Sequence, residues 1–196
     1  MSLPEGAAPE TRSSRSNRRR SEKIPRTHVV SALVENRAGT LSRISGLFAR
    51  RGYNIDSLTV GETQDSSISR MTIAVTGDDA VLEQIVKQLE KLVDVISVRE
   101  LEPASCLRRE IMLVKVRADQ KNRPSVIQIA GIFRSRVVDV SASTITIEAT
   151  GGMEKLNGLI MLLSPYGILE LARTGMVALE RGGRVLSIGS NRNAPA

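Results

Sequence analysis

The chain holds one histidine, His28, and one cysteine, Cys106, and that scarcity bounds its chemistry. A nucleophile needs a base within hydrogen-bond reach. Here His28 stands at the edge of an Arg- and Ser-rich opening segment, and Cys106 falls in what reads as a linker. One imidazole does not fill a tetrahedral metal site. There is no GxxxxGKS or GxxxxGKT loop, no GxGxxG, no HExxH, and no cluster of Cys and His at ligand spacing. His28 therefore reads as a strand-entry residue and Cys106 as an inert thiol. The expectation is a chain with no catalytic residue, metal or cofactor of its own.

What the sequence does offer is a place for an anion. Residues 34–43, Val-Glu-Asn-Arg-Ala-Gly-Thr-Leu-Ser-Arg, join a strand directly to a helix. The free N–H groups and positive dipole end of a helix start favour a carboxylate, and Gly39 lacks the Cβ that would keep a ligand from the backbone. Asn36 adds an amide able to donate and accept. Taken alone, Asn and Gly before a helix are more often a capping turn.

The elements that position this segment follow from hydrophobic period, which alternates between two and 3.6 along the chain. Residues 28–34 read as a strand, and residues 40–51 carry Leu41, Ile44, Leu47 and Phe48 on one helical face before Gly52 stops the helix. Residues 53–60 and 69–76 read as strands joined by a hairpin loop over 61–67. Asp78 and Asp79 open a helix with Leu82, Ile85, Leu89 and Leu92 on one side, and residues 95–101 close the unit.

The same order recurs after a linker at 102–107. A strand over 109–117 leads to a helix with Pro124 in its first turn and Val126, Ile129, Ala130 and Phe133 as its stripe. A hairpin over 137–141 and 144–149 follows, then a helix with Leu156, Leu159, Ile160 and Leu163, then a strand over 168–173. The fold expected is α+β, two ferredoxin-like βαββαβ modules over residues 26–102 and 108–181, each with two helices on one sheet face. The other face needs a partner or water. Cores here must be aliphatic, because Phe48, Phe133, Tyr53 and Tyr166 are the only aromatic residues.

The net charge of +7 gathers in the opening segment, where Arg12, Arg15, Arg18, Arg19, Arg20, Lys23 and Arg26 face Glu5, Glu10 and Glu22. Residues 1–25 read as a disordered basic tail: a solvated segment first, an anion-binding arm or transit peptide as alternatives. Residues 182–196, rich in Gly and Asn, read as a flexible tail. Without a signal-type or membrane-length apolar run, and without a disulfide partner for Cys106, the expected place is the cytoplasm.

The continuous run from Glu35-Asn36-Arg37-Ala38-Gly39-Thr40-Leu41-Ser42-Arg43 through Gly52-Tyr53-Asn54-Ile55-Asp56-Ser57-Leu58-Thr59-Val60 resembles the ACT-domain segment of acetohydroxyacid (acetolactate) synthase small subunits. Three later stretches fit the same family: Ser69-Arg70-Met71-Thr72-Ile73, Gln88-Leu89-Glu90-Lys91-Leu92-Val93-Asp94-Val95, and Arg109-Glu110-Ile111-Met112-Leu113-Val114-Lys115-Val116. The resemblance spans residues 26–182 and covers neither tail.

It implies an N-terminal ACT domain, a C-terminal ACT-like domain, and a homodimer through the ACT domains that encloses valine. Carried over by position, the effector residues are Asn36, Gly39, Thr40 and Leu41 of one chain with Asn54 and Ile55 of the other. The implied partner is a catalytic large subunit that carries thiamine diphosphate, magnesium and FAD, is activated by this chain, and is feedback-inhibited by valine through it in branched-chain amino-acid biosynthesis. An ACT-type amino-acid sensor for another enzyme is the near alternative. An RNA-binding protein of the same fold is the distant one, since the strands offer Ile, Val and Met where stacking aromatics would be needed.

Overall fold

The computed structural model describes residues 26–188 of the chain. The first module runs β1 (Arg26–Glu35), α1 (Thr40–Arg51), β2 (Ser57–Glu62), β3 (Ile68–Gly77), α2 (Asp79–Leu89) and β4 (Val95–Glu100). Its sheet has the order β2-β3-β1-β4, with β1 antiparallel to both β3 and β4. The second module repeats the plan with β5 (Cys106–Arg117), α3 (Arg123–Ile132), β6 (Arg136–Val140), β7 (Thr144–Gly151), α4 (Met153–Leu163) and β8 (Ile168–Arg173), in the order β6-β7-β5-β8.

Helix α1 forms where the period demands it. Ile44, Leu47 and Phe48 are spaced three and four residues apart and are all buried. Gly52, left-handed at φ 70°, ends the helix; Tyr53 N–H then donates to Phe48 O at 3.0 Å, and Arg50 and Arg51 face the negative dipole end. Helix α2 starts at Asp78, whose carboxylate accepts from Val81 N–H at 2.8 Å. Both helices cover one sheet face, packing Phe48, Ile44, Ile85 and Leu89 against Val30, Ala32, Met71, Ile73 and Val98. Phe48 is the largest of these side chains and is 1% exposed. Phe48→Ala is expected to cost about 3 to 5 kcal/mol, read as a lower urea midpoint at an unchanged slope.

The other face of the first sheet is covered by the chain itself. A ninth strand, β9 (Val177–Glu180), pairs antiparallel with the first residues of β5, Cys106 to Glu180 through Arg109 to Val177. This two-stranded ribbon lies on the sheet and buries Val29, Leu101, Cys106, Met176 and Ala178 as one cluster. The stretch 182–188, read from the sequence as part of a flexible tail, crosses the same face and lodges Leu186 against Leu33 and Ile68. The early part of that tail is therefore anchored at Leu186, with its neighbours exposed. Residues 1–25, read as a disordered basic tail, and residues 189–196 lie outside the described residues.

Two further boundaries differ from expectation. Strand β5 starts at Cys106, so the linker shrinks to a 3-10 turn over Pro103–Ser105, and Cys106 is a buried strand residue. Strand β2 starts at Ser57 instead of residue 53, because Asp56 N–H already bonds Ala74 O and residues 53–56 form the approach to the strand.

Candidate functional site

The turn between β1 and α1 is held from three sides. Asn36 N–H donates to Ser67 O at 2.7 Å, and its side-chain amide donates to Glu62 Oε1 at 3.1 Å and Ser66 O at 2.9 Å. Both donors of the Asn36 side-chain amide are thus used within the chain, leaving its carbonyl oxygen to face outward. Sequence reasoning assigned Asn36 to a ligand; within one chain it also clamps the β2–β3 loop.

Gly39 precedes the helix at φ 87°, a left-handed conformation that only glycine takes without strain. The first intrahelical bond runs from Arg43 N–H to Gly39 O at 2.9 Å, so the amides of Leu41 and Ser42 lie ahead of it at the positive helix end. Leu41 is 48% exposed, an apolar side chain in the open beside those amides. Thr40 is turned the other way: it is buried, and its Oγ1 has no hydrogen-bond partner among the described residues. Its amide donates to Arg37 O at 3.3 Å.

An ion pair fixes this turn against the far side of the module. Arg43 Nε and Nη2 donate to the two oxygens of Asp94 at 2.5 and 2.7 Å, a bidentate grip, while Glu35 N–H bonds Asp94 O. Those hydrogen bonds hold the Asp94 carboxyl below the usual carboxylate range, against the opposite push of its burial. The sign follows. A lowered folded-state pKa gives stability that is present above the unfolded value, about 3.9, and is lost as pH falls through the folded value. Asp94→Asn should therefore have a lower urea midpoint than the parent at pH 7. That difference should shrink progressively as the pH falls below about 4, and a constant difference would disprove the assignment.

Asn54 and Ile55 lie beyond Gly52, in the approach to β2. The Asn54 amide donates to Asp56 Oδ1 at 2.8 Å and is otherwise exposed, while Ile55 packs partly on the core. The twelve residues of α1 separate them from Thr40, about 18 Å at the usual helical rise. One small ligand does not touch both ends of α1 within one chain.

The residues first weighed for catalysis have structural duties. His28 is 3% exposed, with Nδ1 2.9 Å from Glu100 Oε1 and Nε2 3.3 Å from Gly77 O, tying β1 to β4 and β3. Cys106 is buried under the ribbon. No group of three or more His, Cys, Asp or Glu able to hold a metal occurs among the described residues, and none of their helices is long and apolar enough to cross a membrane. Tyr53 stands edge-on to Phe48 at 6.4 Å, and the sheet face that RNA-binding relatives of this architecture would use lies under β9 and Leu186.

Sequence reasoning missed the ribbon and a charged trough beneath it. Between the outer face of β2 and β3 and the β5–β9 ribbon is a space of about 590 Å³, lined by Thr59, Gly61, Arg70, Thr72, Leu107 and Leu179 among others. The signal was one polar residue, Arg70, on a strand face that alternation left unassigned.

The comparisons with known proteins agree with this architecture module by module. Residues 30–97 match the family profile of an AHAS small subunit-like ACT domain, and residues 109–182 that of the small subunit of acetolactate synthase. The chain is 53% identical over 166 residues to the probable acetolactate synthase small subunit of Methanothermobacter thermautotrophicus, covering 84% of this chain and 99% of that one. It is 51% identical over 158 residues to the acetolactate synthase small subunit of Mycolicibacterium smegmatis, covering 81% and 93%. Among solved structures, the acetolactate synthase small subunit of Thermotoga maritima matches with a TM-score of 0.77 at 43% identity, over 81% of this chain and 99% of that one. Two ACT-like modules in this order, matched by both profiles and by relatives along nearly their whole length, place the chain in the acetolactate synthase small-subunit family.

Proposed function

We propose that this chain is a non-catalytic regulatory subunit of acetolactate synthase in branched-chain amino-acid biosynthesis, that it activates a catalytic large subunit, and that it confers inhibition by valine. Thiamine diphosphate, magnesium and FAD belong to that partner. The observation that carries the sensing role is the start of α1: a glycine at φ 87° opens a helix whose leading amides lie beside an exposed leucine. A carboxylate on the amides of Leu41 and Ser42 leaves an isopropyl group against the Leu41 side chain.

The second half of the site comes from another copy. Strand β2 is an edge of its sheet and is half-exposed, so its open N–H and C=O groups suit antiparallel pairing with a second β2. Such a two-fold sets the two α1 helices side by side in opposite directions. Gly39, Thr40 and Leu41 of one chain then approach Asn54 and Ile55 of its partner, with Asn36 and Asn54 orienting the polar end of the ligand. Valine that binds one arrangement of the dimer better shifts the partner enzyme by the difference, typically about 1 to 3 kcal/mol.

The test is reconstitution. The full chain mixed with the catalytic subunit of an acetolactate synthase should co-elute, raise acetolactate formation from pyruvate, and make it valine-sensitive. Acetolactate formation by this chain alone, or failure to associate, would refute the reading.

A further inference from the structure

The trough beneath the ribbon contains a cation, Arg70 of β3, with no ion-pair partner among the described residues. It is half-buried, and among those residues its hydrogen bond goes from Nη1 to Ser31 Oγ at 3.0 Å, a neutral partner. Burial pushes its pKa below the usual arginine value, with no carboxylate to oppose the push. By contrast the partly buried Arg99 grips the Glu180 carboxylate at 2.7 Å. Glu62, on the trough's rim, and Asp65, on the rim of the adjoining space, are hydrogen-bonded to other groups. Asp65 accepts from Ser67 N–H and Oγ, and Glu62 accepts from Asn36.

The surroundings of Arg70 have the form of a site. It lies where the 590 Å³ trough under the ribbon meets a second space of about 350 Å³ bounded by Leu33, Ile68, Leu186 and Ile188. Beside it Thr72, 3% exposed, also lines the trough and carries a hydroxyl. Arg109 adds a second cation on the opposite wall, and Leu107, Val177 and Leu179 supply an apolar lining. An unpaired guanidinium in a mostly apolar hollow is costly unless an anion meets it.

We propose that this trough binds a small organic anion, its carboxylate or phosphate held by Arg70 and Thr72 and its aliphatic part lying against Leu107, Val177 and Leu179. This site lies on the opposite sheet face from α1 and is distinct from the valine site at the helix start. Because its walls come from β2, β3 and the β5–β9 ribbon, an occupant would brace the first module against the ribbon.

Calorimetric titration of the full chain with hexanoate, propyl phosphate and the uncharged hexanamide tests this. At least one of the two anions should bind saturably, and hexanamide should bind at least about tenfold more weakly. Arg70→Gln should weaken the anion by a similar factor. Gly61→Leu provides a second variant, since Gly61 lines the trough and a Cβ there meets nothing within 4 Å; it should block binding while circular dichroism stays unchanged. Preference for hexanoate assigns a carboxylate, and preference for propyl phosphate a phosphate. No anion binding, equal binding of hexanamide, or unchanged binding by folded Gly61→Leu each overturns the proposal. Valine sensitivity of the reconstituted enzyme is scored separately, so failure here is distinguishable from failure of the regulatory reading.

Discussion

Gly39→Asp is expected to abolish valine inhibition of the reconstituted enzyme while its activation by this chain is largely kept. The new carboxylate would occupy the mouth of the helix start, where the proposed ligand's carboxylate would meet the Leu41 and Ser42 amides, and two anions do not share that position. Backbone strain adds to the effect. Gly39 is left-handed at φ 87°, and a Cβ there would come within 3.2 Å of Arg43 Nη1. An aspartate tolerates that conformation better than most residues, at about 1 to 2 kcal/mol, and can turn its carboxylate toward the Arg43 guanidinium. The fold should survive, whereas the apparent valine constant should rise by about a hundredfold or more. Wild-type inhibition in the folded variant would remove Gly39 from the site.

The same substitution tests whether two chains build one site. Asn54→Leu removes the amide expected from the partner's side, so each variant homodimer should be blind to valine. In a mixed dimer of Gly39→Asp with Asn54→Leu, one site carries both lesions and the other carries neither. The purified mixed dimer, with one of its two sites intact, should regain about half of the inhibitable activity if each site spans two chains. If the site lay within one chain, every site would carry a lesion and no sensitivity would return.

Much of the fold was legible because strands and helices here bury one face each. Val30, Ala32 and Val34 alternate on β1, and Ile44, Leu47 and Phe48 recur on α1, so the period alone places them in one core. Legibility failed where a residue's role depends on something distant. Asn54 and Ile55 read as strand because they run into Leu58 and Val60 without a break, but pairing with β3 starts at Ser57. Leu92 reads as helix, yet α2 ends at Leu89 and Leu92 reaches the core from the following turn. Strand β9 has only four residues, Val-Ala-Leu-Glu, too few to display a period, and Leu186 sits in a short Val-Leu-Ser-Ile stretch after two glycines, also too short to show one. Both acquire meaning from the first sheet, more than a hundred residues earlier in the chain. At the β1–α1 turn, the glycine that opens the helix was legible from its spacing. The use of both Asn36 amide donors by Glu62 and Ser66 was not, since nothing local connects the β1–α1 turn to the β2–β3 loop.

Gly175→Ala should produce the largest loss of coupling between the modules for the smallest change in volume. Gly175 turns the chain from β8 into β9 at φ 81°, and a Cβ there would lie 2.6 Å from Ser57 Oγ and 3.0 Å from Thr59 Oγ1. Those hydroxyls also fasten the ribbon to β2: Thr59 Oγ1 donates to Thr174 O at 3.3 Å, and Met176 N–H donates to Ser57 Oγ at 3.0 Å. A methyl group therefore strains the turn by about 1 to 2 kcal/mol and displaces two hydrogen bonds worth about 1 kcal/mol each. The sum, about 3 to 4 kcal/mol, should appear as a lower urea midpoint and as loss of amide-exchange protection concentrated in β9 and in residues 106–109. Exchange in α1 should change little, because its core lies on the other sheet face. If the second module transmits the state of the first to the catalytic subunit through this ribbon, the variant should still bind valine with near-native affinity yet inhibit the reconstituted enzyme far less. Inhibition lost in parallel with valine affinity would instead place the transmission entirely within the first module.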